Sequence, residues 1–420
     1  MMKQKKSLRI FNLSVFFQAQ IFLLPVLFLF YQHCGLSVAD FFLFQGVFSL
    51  AGLLFEIPAG YLGDIFPKKN VLILSYSFFI ARLLLWLFFM QYGYWILFIG
   101  EVLYAAQKAT FSGASDSYIY EYLKHNNIPQ KMLKKYGKLN FSMSIGTALS
   151  SLLGAWLYHS VSQWSMAKYQ QDYGFVVLIG LELVLNITAL VFLLMLPKIP
   201  RSAHPKRSLK ELYSQFFRII VWTAKKQKIR YHMVYSGVLV AMTSVFVWSF
   251  QPIMKLLLIP VAVYGLVYFV NHTIRALASL YLNKTMKLIP LSKLSVLTFL
   301  MFIASFVLSF IVLNIQPLPL FVNLIYFVFV SFAIGAQLSF FLSQISRFHH
   351  LIPSEMRTTV SSINTATGRL WSGFFFILLK ILMDGVSIQI SLGVCLAIFL
   401  LAVFPLKKLY QISASEEKIA

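Results

Sequence analysis

GYLGDIFPKK, residues 60–69, separates two long apolar stretches near the start of the chain, and this short run decides the fold. Its informative residues are Gly60, Gly63, Asp64, Lys68 and Lys69. A glycine-containing break that ends in paired lysines is typical of a short cytoplasmic loop between two membrane-spanning helices. The run therefore predicts a helical hairpin that crosses a membrane twice.

The composition is that of an integral membrane protein. Of the 420 residues, 59% are hydrophobic and only 12% are charged, and the mean hydropathy is +0.77. Soluble domains have roughly 45–50% apolar and about 25% charged residues. Barrel strands would appear as alternating segments of roughly ten residues, whereas spanning helices need about 20 consecutive apolar residues. The apolar runs have helical length, so an all-α integral membrane fold is expected.

The net charge of +23 is explained by where the 36 Lys and Arg residues lie. Most of them are in the N-terminal tail, in alternate loops and near the C-terminus, whereas the opposite face keeps only Lys168, Lys255 and Lys380. Lys and Arg concentrate in the cytoplasmic loops of membrane proteins. Both termini are therefore expected in the cytoplasm, and nucleic-acid binding is not needed to explain the charge.

Apolar runs of spanning length predict twelve transmembrane helices. They cover residues 9–33, 37–62, 70–91, 94–124, 136–160, 172–197, 229–252, 260–287, 290–314, 317–350, 357–383 and 385–409. A basic linker at 198–228, with a predicted amphipathic segment at 209–222, separates an N-terminal six-helix bundle (1–197) from a C-terminal six-helix bundle with a short cytoplasmic tail (229–420). The first run is longer than a signal-peptide core, so we expect it to be retained as helix 1.

The two halves show internal similarity, which is typical of transporters built from repeated bundles. One alignment places Lys138, Ser142, Gly146, Ser150 and Gly154 of helix 5 over Arg357, Ser361, Thr365, Arg369 and Gly373 of helix 11. The small residues of helix 5 predict the close approach of another helix. The same alignment places Asn283 over Asp64, so the second copy of the loop is degenerate.

The loop resembles the signature of the major facilitator superfamily, in which a Gly-x-Leu-Ala/Gly-Asp-Arg-x-Gly-Arg/Lys-Arg/Lys run joins helices 2 and 3. The matching positions are Gly60, Leu62, Gly63, Asp64, Lys68 and Lys69, and the departures are Ile65 and Pro67. Further positions resemble one branch of that family: residues 56–60, Glu101, Ser112, Gly113, Asp116, Tyr120, Arg357 and Ser361. The resemblance implies two pseudo-symmetric six-helix bundles that move a small solute by alternating access.

The resemblance also implies a gate. In that family the loop aspartate is understood to contact the start of helix 11 and to hold the outward-facing state. Asp64 is therefore expected near the helix that begins around Arg357, with Arg357 or Lys138 as its cationic partner. A carboxylate near a helix N-terminus gains about 0.3–1 kcal/mol. Lys68 and Lys69 are expected to fix the topology as well.

Charged side chains in the middle of helices are the main candidates for a substrate or ion site, because each costs about 2.5–3.5 kcal/mol on insertion. In helix 4, Glu101 and Lys108 project in nearly one direction with Ser112 and Ser115, and Asp116 lies at the edge of that stripe. Lys108 is expected near the bilayer centre. It either touches the substrate or a coupling proton, or it pairs with Glu101 or with a neighbouring helix.

The other charges in mid-helix have two interpretations. Arg82, Arg275 and Arg369 stay charged, so they are not proton carriers, and ties to buried carboxylates are favoured over contacts with substrate. Carboxylates suit ion coupling better, since burial favours their protonated form. Glu56, one turn from the loop, is assigned a structural role in preference to coupling, and Glu182 is expected near the outer end of helix 6, where water can hydrate it.

In the family that the loop resembles, helices 1, 4, 7 and 10 line the central cavity. Uncharged residues of these helices are therefore further candidates for the solute site. They are Gln18 in helix 1, Trp248 and Gln251 in helix 7, and Gln337 in helix 10. For Trp248, packing is the favoured interpretation. Helix 5 lacks the Gly-Pro-x-x-Gly-Gly run of drug/proton antiporters, which lowers the expectation of a drug exporter.

The sequence favours a secondary active transporter for a small solute, coupled to protons or another ion. The cations in the membrane favour an anionic or zwitterionic substrate. The alternatives are a non-transporting receptor or assembly protein on the same scaffold and a proton-driven drug exporter. The sequence has no metal cluster, nucleophile motif or phosphate loop, so neither an enzyme nor a bound cofactor is expected. We expect a monomer in the lipid bilayer of the plasma membrane, which in a bacterium is the inner membrane.

Overall fold

The computed structural model describes residues 2–126, 132–197, 209–281, 284–285, 288–348 and 357–403. These residues fold into α-helices joined by short turns. The first seven are α1 (Met2–Gln18), α2 (Leu27–His33), α3 (Val38–Ile65), α4 (Lys68–Phe89), α5 (Tyr94–His125), α6 (Met132–Tyr169) and α7 (Gly174–Leu194). The others are α8 (Leu209–Lys225), α9 (Gln227–Leu256), α10 (Val261–Leu280), α11 (Leu291–Asn314), α12 (Leu320–Phe348), α13 (Arg357–Met383) and α14 (Ile388–Val403).

Eight helices of the described chain are long and apolar enough to span a membrane, namely α3, α4, α7 and α9 to α13. Predicted helices 4 and 5 are α5 and α6, which have the length but carry more polar side chains, such as Glu101, Lys108 and Asn140. Predicted helix 12 is α14, of which 16 residues are described. With the interrupted helix 1, these account for all twelve predicted spans, so the structure is consistent with that number.

The expectation of one continuous helix over residues 9–33 is wrong. α1 ends at Gln18, residues 19–23 leave the helix, and a short 3-10 turn at Leu24–Val26 leads into α2. Pro25 lies in that turn and has no backbone N–H to donate, so a continuous α-helix would lack the hydrogen bond to the carbonyl oxygen of Ile21. Counting apolar residues cannot detect this interruption, because the whole segment is apolar enough to be a single span.

Contacts divide the chain into two compact units, and the first contains residues 1–37, 54–207 and 259–280. Its core includes Phe11, Tyr76 and Tyr118, which lie where α1, α4 and α5 meet. α10 packs along α6 in this unit. A Cβ at Gly265 of α10 would lie only 2.5 Å from the carbonyl oxygen of Ser151, so this helix pair requires a glycine there.

The second unit contains residues 38–53, 208–258 and 281–420. α9 packs against α13 and α11; Phe246 of α9 lies 4.6 Å, between ring centroids, from Phe306 of α11. The predicted amphipathic segment is α8, which buries Ile219 against α9 and α13. The division into two bundles around the linker at 198–228 stays a prediction, because only part of that linker is described.

Candidate solute and ion site

A buried ion pair joins α4 and α5. Arg82 Nη2 lies 3.0 Å from Glu101 Oε1, and the Tyr31 hydroxyl donates to the same oxygen at 2.7 Å. The Arg82 guanidinium also lies over the rings of Trp86 and Tyr104, at 3.8 and 4.3 Å from their centroids. The two opposite charges neutralise each other inside the helices. This cluster is built to hold α2, α4 and α5 together.

Lys108 is placed differently from Arg82. Its Nζ lies 5.1 Å from the centroid of the Tyr104 ring, and among the described side chains no carboxylate pairs with it. On α10, His272 is close enough to both Lys108 and Arg275 for their charges to interact. Arg275 also has no carboxylate partner among the described side chains. Lys108 of α5 and Arg275 of α10 therefore lie within electrostatic reach of the same histidine.

The remainder of the predicted polar stripe of α5 does not form one continuous surface. Ser112 is exposed, whereas Ser115 is buried and donates to the carbonyl oxygen of Ser112. Half-buried Asp116 accepts a hydrogen bond from Ser115 at 3.4 Å. Within the stripe, Glu101 is set apart by its ion pair with Arg82, and Lys108 is set apart by its electrostatic interaction with His272.

Polar groups of α6 hold the interruption of helix 1. The Thr147 hydroxyl donates to the carbonyl oxygen of Ala19 at 2.7 Å, and the backbone N–H of Ile21 donates to Ser150 Oγ at 3.0 Å. Irregular backbone at membrane depth must find such partners, since the hydrocarbon offers none. The small-residue stripe that the sequence predicts for close packing therefore receives the broken segment of helix 1.

Glu182 of α7 also binds this interruption, and the expectation that water hydrates it is wrong. Its side chain is fully buried, and Oε1 accepts the backbone N–H of Leu23 at 2.6 Å. One turn further along α7, Asn186 is fully buried too. Gln18, the last residue of α1, is 1% exposed. The break of helix 1 thus lies among buried polar side chains from two other helices.

The lysines of the GYLGDIFPKK loop cap helix ends. Lys68 Nζ donates to the carbonyl oxygen of Gly63 at 2.6 Å, in the last turn of α3. Lys69 Nζ donates to the carbonyl oxygens of Leu194 and Leu196, at 2.7 and 2.5 Å, at the end of α7. Cations are stabilising at helix C-termini, where carbonyl groups lack helical partners. Pro67 precedes the first residue of α4 and occupies its N-cap position.

Other parts of the predicted gate lie outside what the structure describes. The side chains of Asp64 and Arg357 and the whole of Asn283 are not described, so their expected contacts stay predictions. A Cβ at Gly60 would have no atom within 4 Å, and a Cβ at Gly63 would meet only the Lys68 ammonium. Close helix packing does not explain these two glycines.

The remaining candidates are spread over both units. In the second unit, Arg369 of α13 lies directly against Gly52 of α3, where a Cβ would overlap its guanidinium. In the same unit Trp248 packs edge-on against Phe41, Gln251 is fully buried in α9, and Gln337 is 5% exposed in α12. Glu56 is half-buried in α3, in the first unit. Lys108, His272 and Arg275 all lie in the first unit.

The model of the Major Facilitator Superfamily matches residues 10–377, most of the chain. The chain belongs to the Major Facilitator Superfamily. Membership confirms the resemblance carried by the loop, together with the helical membrane fold, and it makes this protein a member of a transporter family. No curated protein matches the chain at the sequence level.

Solved transporters of the superfamily have the same fold. The nucleoside transporter NupG is 12% identical, with a TM-score of 0.69 and coverage of 97% of this chain and 98% of the other. A D-xylose-proton symporter is 15% identical, with a TM-score of 0.65 and coverage of 95% of each chain. The human organic anion transporter MFSD10 is 14% identical, with a TM-score of 0.64 and coverage of 96% of this chain and 99% of the other. At these identities the likeness concerns the fold alone.

Within this superfamily fold, sequence reasoning missed two features of the site. The first is the proximity of His272 to Lys108, which depends on how α10 packs and which the sequence does not specify. Glu182 and Asn186 are four residues apart in α7, a spacing that places both on one helix face. That spacing was a usable signal, but the partner of this face is the break in helix 1, which the sequence did not reveal.

Proposed function

We propose that this protein is a secondary active transporter that moves a small anionic or zwitterionic solute across the membrane by alternating access. A single copy of the protein performs the whole transport cycle. Transport is coupled to an ion gradient, and the proton is the ion that the sequence favours. The observation that supports this proposal is the group formed by Lys108, His272 and Arg275 in the first unit.

The argument rests on the contrast between these cations and Arg82. A buried charge is costly unless a partner of opposite sign neutralises it. Arg82 has that partner in Glu101, at 3.0 Å. Lys108 and Arg275 have none among the described side chains, and His272, which is close enough to interact with both, supplies no negative charge. A carboxylate or phosphate group on the solute supplies the missing charge, so binding the solute offsets part of the cost of holding these two half-buried cations within the helices.

Transport in proteoliposomes tests this proposal. We expect the purified protein to take up one or more labelled anionic or zwitterionic solutes from a broad panel, driven by an imposed gradient of H⁺ or Na⁺, and to leave cationic solutes outside. Lys108→Gln and Arg275→Gln should each reduce uptake about tenfold or more, because each removes a charge-assisted contact of about 1.5–3 kcal/mol. Lys293→Gln, which removes an exposed lysine from the first turn of α11, is the matched control and should transport normally.

The result must separate lost transport from lost folding. Each variant is compared with the wild type by size-exclusion chromatography and thermal unfolding before transport is measured. If no solute of any charge moves under either gradient, and if Lys108 and Arg275 are replaceable without loss of cellular phenotype, the chain is a receptor or assembly protein on the transporter scaffold. Uptake that survives both substitutions would place the solute elsewhere.

A further inference from the structure

Three buried oxygen atoms surround the interruption of helix 1. They are Gln18 Oε1, Glu182 Oε2 and Asn186 Oδ1, and none of them has a hydrogen-bond partner in the described structure. The exposed fractions of the three side chains are 1%, 0% and 0%. Buried polar atoms nearly always have a partner, so three such acceptors in one region call for a common explanation.

The register of α1 against α7 places Gln18 near Asn186, one helical turn from Glu182. One turn before the end of α1, the Ser14 hydroxyl donates to the carbonyl oxygen of Ala189 at 2.7 Å. The backbone N–H of Leu23 donates to Glu182 Oε1 at 2.6 Å, beyond the break. Because the helices run in opposite directions between these two contacts, Gln18 lies level with Asn186. The amide of Asn186 is oriented by its Nδ2, which donates to the carbonyl oxygen of Glu182 at 2.9 Å, so that Oδ1 is the atom left over.

The charges in this region favour a bound cation. Backbone N–H groups of Phe22 and Leu23 donate to the Glu182 carboxylate, which offsets part of the cost of burying its charge. The described cation whose charge reaches Glu182 is Arg82, and Glu101 already neutralises it. α1 also ends here, and a helix C-terminus carries partial negative charge. One carboxylate, two amide oxygens and a helix end together attract a positive ion.

We propose that Gln18, Glu182 and Asn186 form a Na⁺ site at the interruption of helix 1. Oxygen ligands suit hard cations, and a discontinuous membrane helix is a place where such an ion is held. A proton on Glu182 would add one hydrogen-bond donor, so at least one of the two amide oxygens would stay without a partner. A Na⁺ ion can be coordinated by all three oxygens. A single carboxylate provides too little charge for a divalent ion, which binds to several. The site shares no residue with the solute group of Lys108, and it does not depend on which solute is moved.

Binding of Na⁺ to the purified full-length protein tests this site without any transport. Thermal unfolding is followed in NaCl and in choline chloride at equal ionic strength, and uptake of ²²Na⁺ by the protein is measured in parallel. We expect a saturable rise in Tm of about 3–5 °C with Na⁺, since a ligand that binds only the folded state stabilises it. Glu182→Gln should abolish both signals, and Asn186→Leu should weaken Na⁺ affinity about tenfold or more.

A matched control distinguishes a side chain that coordinates Na⁺ from one that only packs against its neighbours. Asn323→Leu removes another buried amide, whose Nδ2 donates to the carbonyl oxygen of Leu318 in the second unit. It should lower Tm and leave the Na⁺-induced rise unchanged. If Glu182→Gln does not fold, Gln18→Leu and Asn186→Leu give the same comparison. Equal Tm in Na⁺ and choline, absence of ²²Na⁺ binding, or a response to pH that replaces the response to Na⁺ would each overturn the proposal.

Discussion

At the scale of single residues, the helices of the first unit are tied by a neutralised charge pair. Arg82 and Glu101 are both buried, and each would be an isolated charge in the membrane without the other. The Tyr31 hydroxyl and the Trp86 ring complete their surroundings. Removing one partner of such a pair lowers the stability of the protein, because the remaining partner stays buried and charged.

A double-mutant cycle measures this tie. Glu101→Gln leaves Arg82 buried and uncompensated, so we expect a loss of about 3–5 kcal/mol of stability. Adding Arg82→Met to Glu101→Gln should restore part of that loss, with a coupling energy of about 0.5–3 kcal/mol in thermal or denaturant unfolding. The exposed pair of Lys380 and Asp384 is the control, and its cycle should give less than about 1 kcal/mol. Additive losses from Glu101 and Arg82 would mean that the two charges are not coupled.

At the scale of elements, the interrupted helix 1 depends on the surface of α6. Gly146 and Gly154 face the carbonyl oxygens of Phe16 and Phe22, and a Cβ at Gly146 would lie 2.8 Å from the first of these. A Cβ at Gly154 would overlap the carbonyl oxygen of Phe22. Between the glycines, Thr147 and Ser150 hydrogen-bond the broken backbone. Glycine provides the space and hydroxyl groups provide the partners.

Two glycine substitutions separate these roles from helix propensity. Gly154→Ala should push the segment around Phe22 out of place, lowering Tm and reducing uptake several-fold. Gly180→Ala is the control, because Gly180 is in the interior of α7 and a Cβ there would meet no atom within 4 Å. Alanine in a helix interior is favoured over glycine by roughly 0.5–1 kcal/mol, so this variant should be neutral or slightly stabilised. Equal behaviour of the two variants would show that α6 and helix 1 are not closely packed there.

At the scale of the whole molecule, the distribution of Lys and Arg orients the protein in its membrane. The loop between α6 and α7 is almost free of basic residues, whereas α8 and its flanks are rich in them. From the positive-inside rule we therefore expect α8 and both termini in the cytoplasm.

Labelling with a membrane-impermeant maleimide checks this orientation in intact cells. In a background in which Cys34 and Cys395 are replaced, Gln170→Cys should react from outside, because it is exposed in the loop between α6 and α7. Lys225→Cys, exposed at the end of α8, should react only after the cells are permeabilised. The opposite pattern would show that the topology is inverted.

The sequence by itself determined the class of molecule. Long apolar runs, the GYLGDIFPKK loop and the segregated Lys and Arg residues are local properties, so an all-α membrane protein of the superfamily was predictable from them. Local patterns also located the amphipathic helix α8. Individual mid-helix charges were visible as candidates for the same reason, since any charge in an apolar run stands out.

Only the tertiary structure decided which of these charges are compensated. Arg82 and Lys108 look alike in the sequence, yet one meets Glu101 and the other lies beside His272. The interruption of helix 1 and the burial of Glu182 likewise depend on how α1, α6 and α7 meet. The physical reason is that neutralisation and hydrogen bonding in a membrane are satisfied between helices that are far apart in sequence, and periodicity along one helix does not specify its partner.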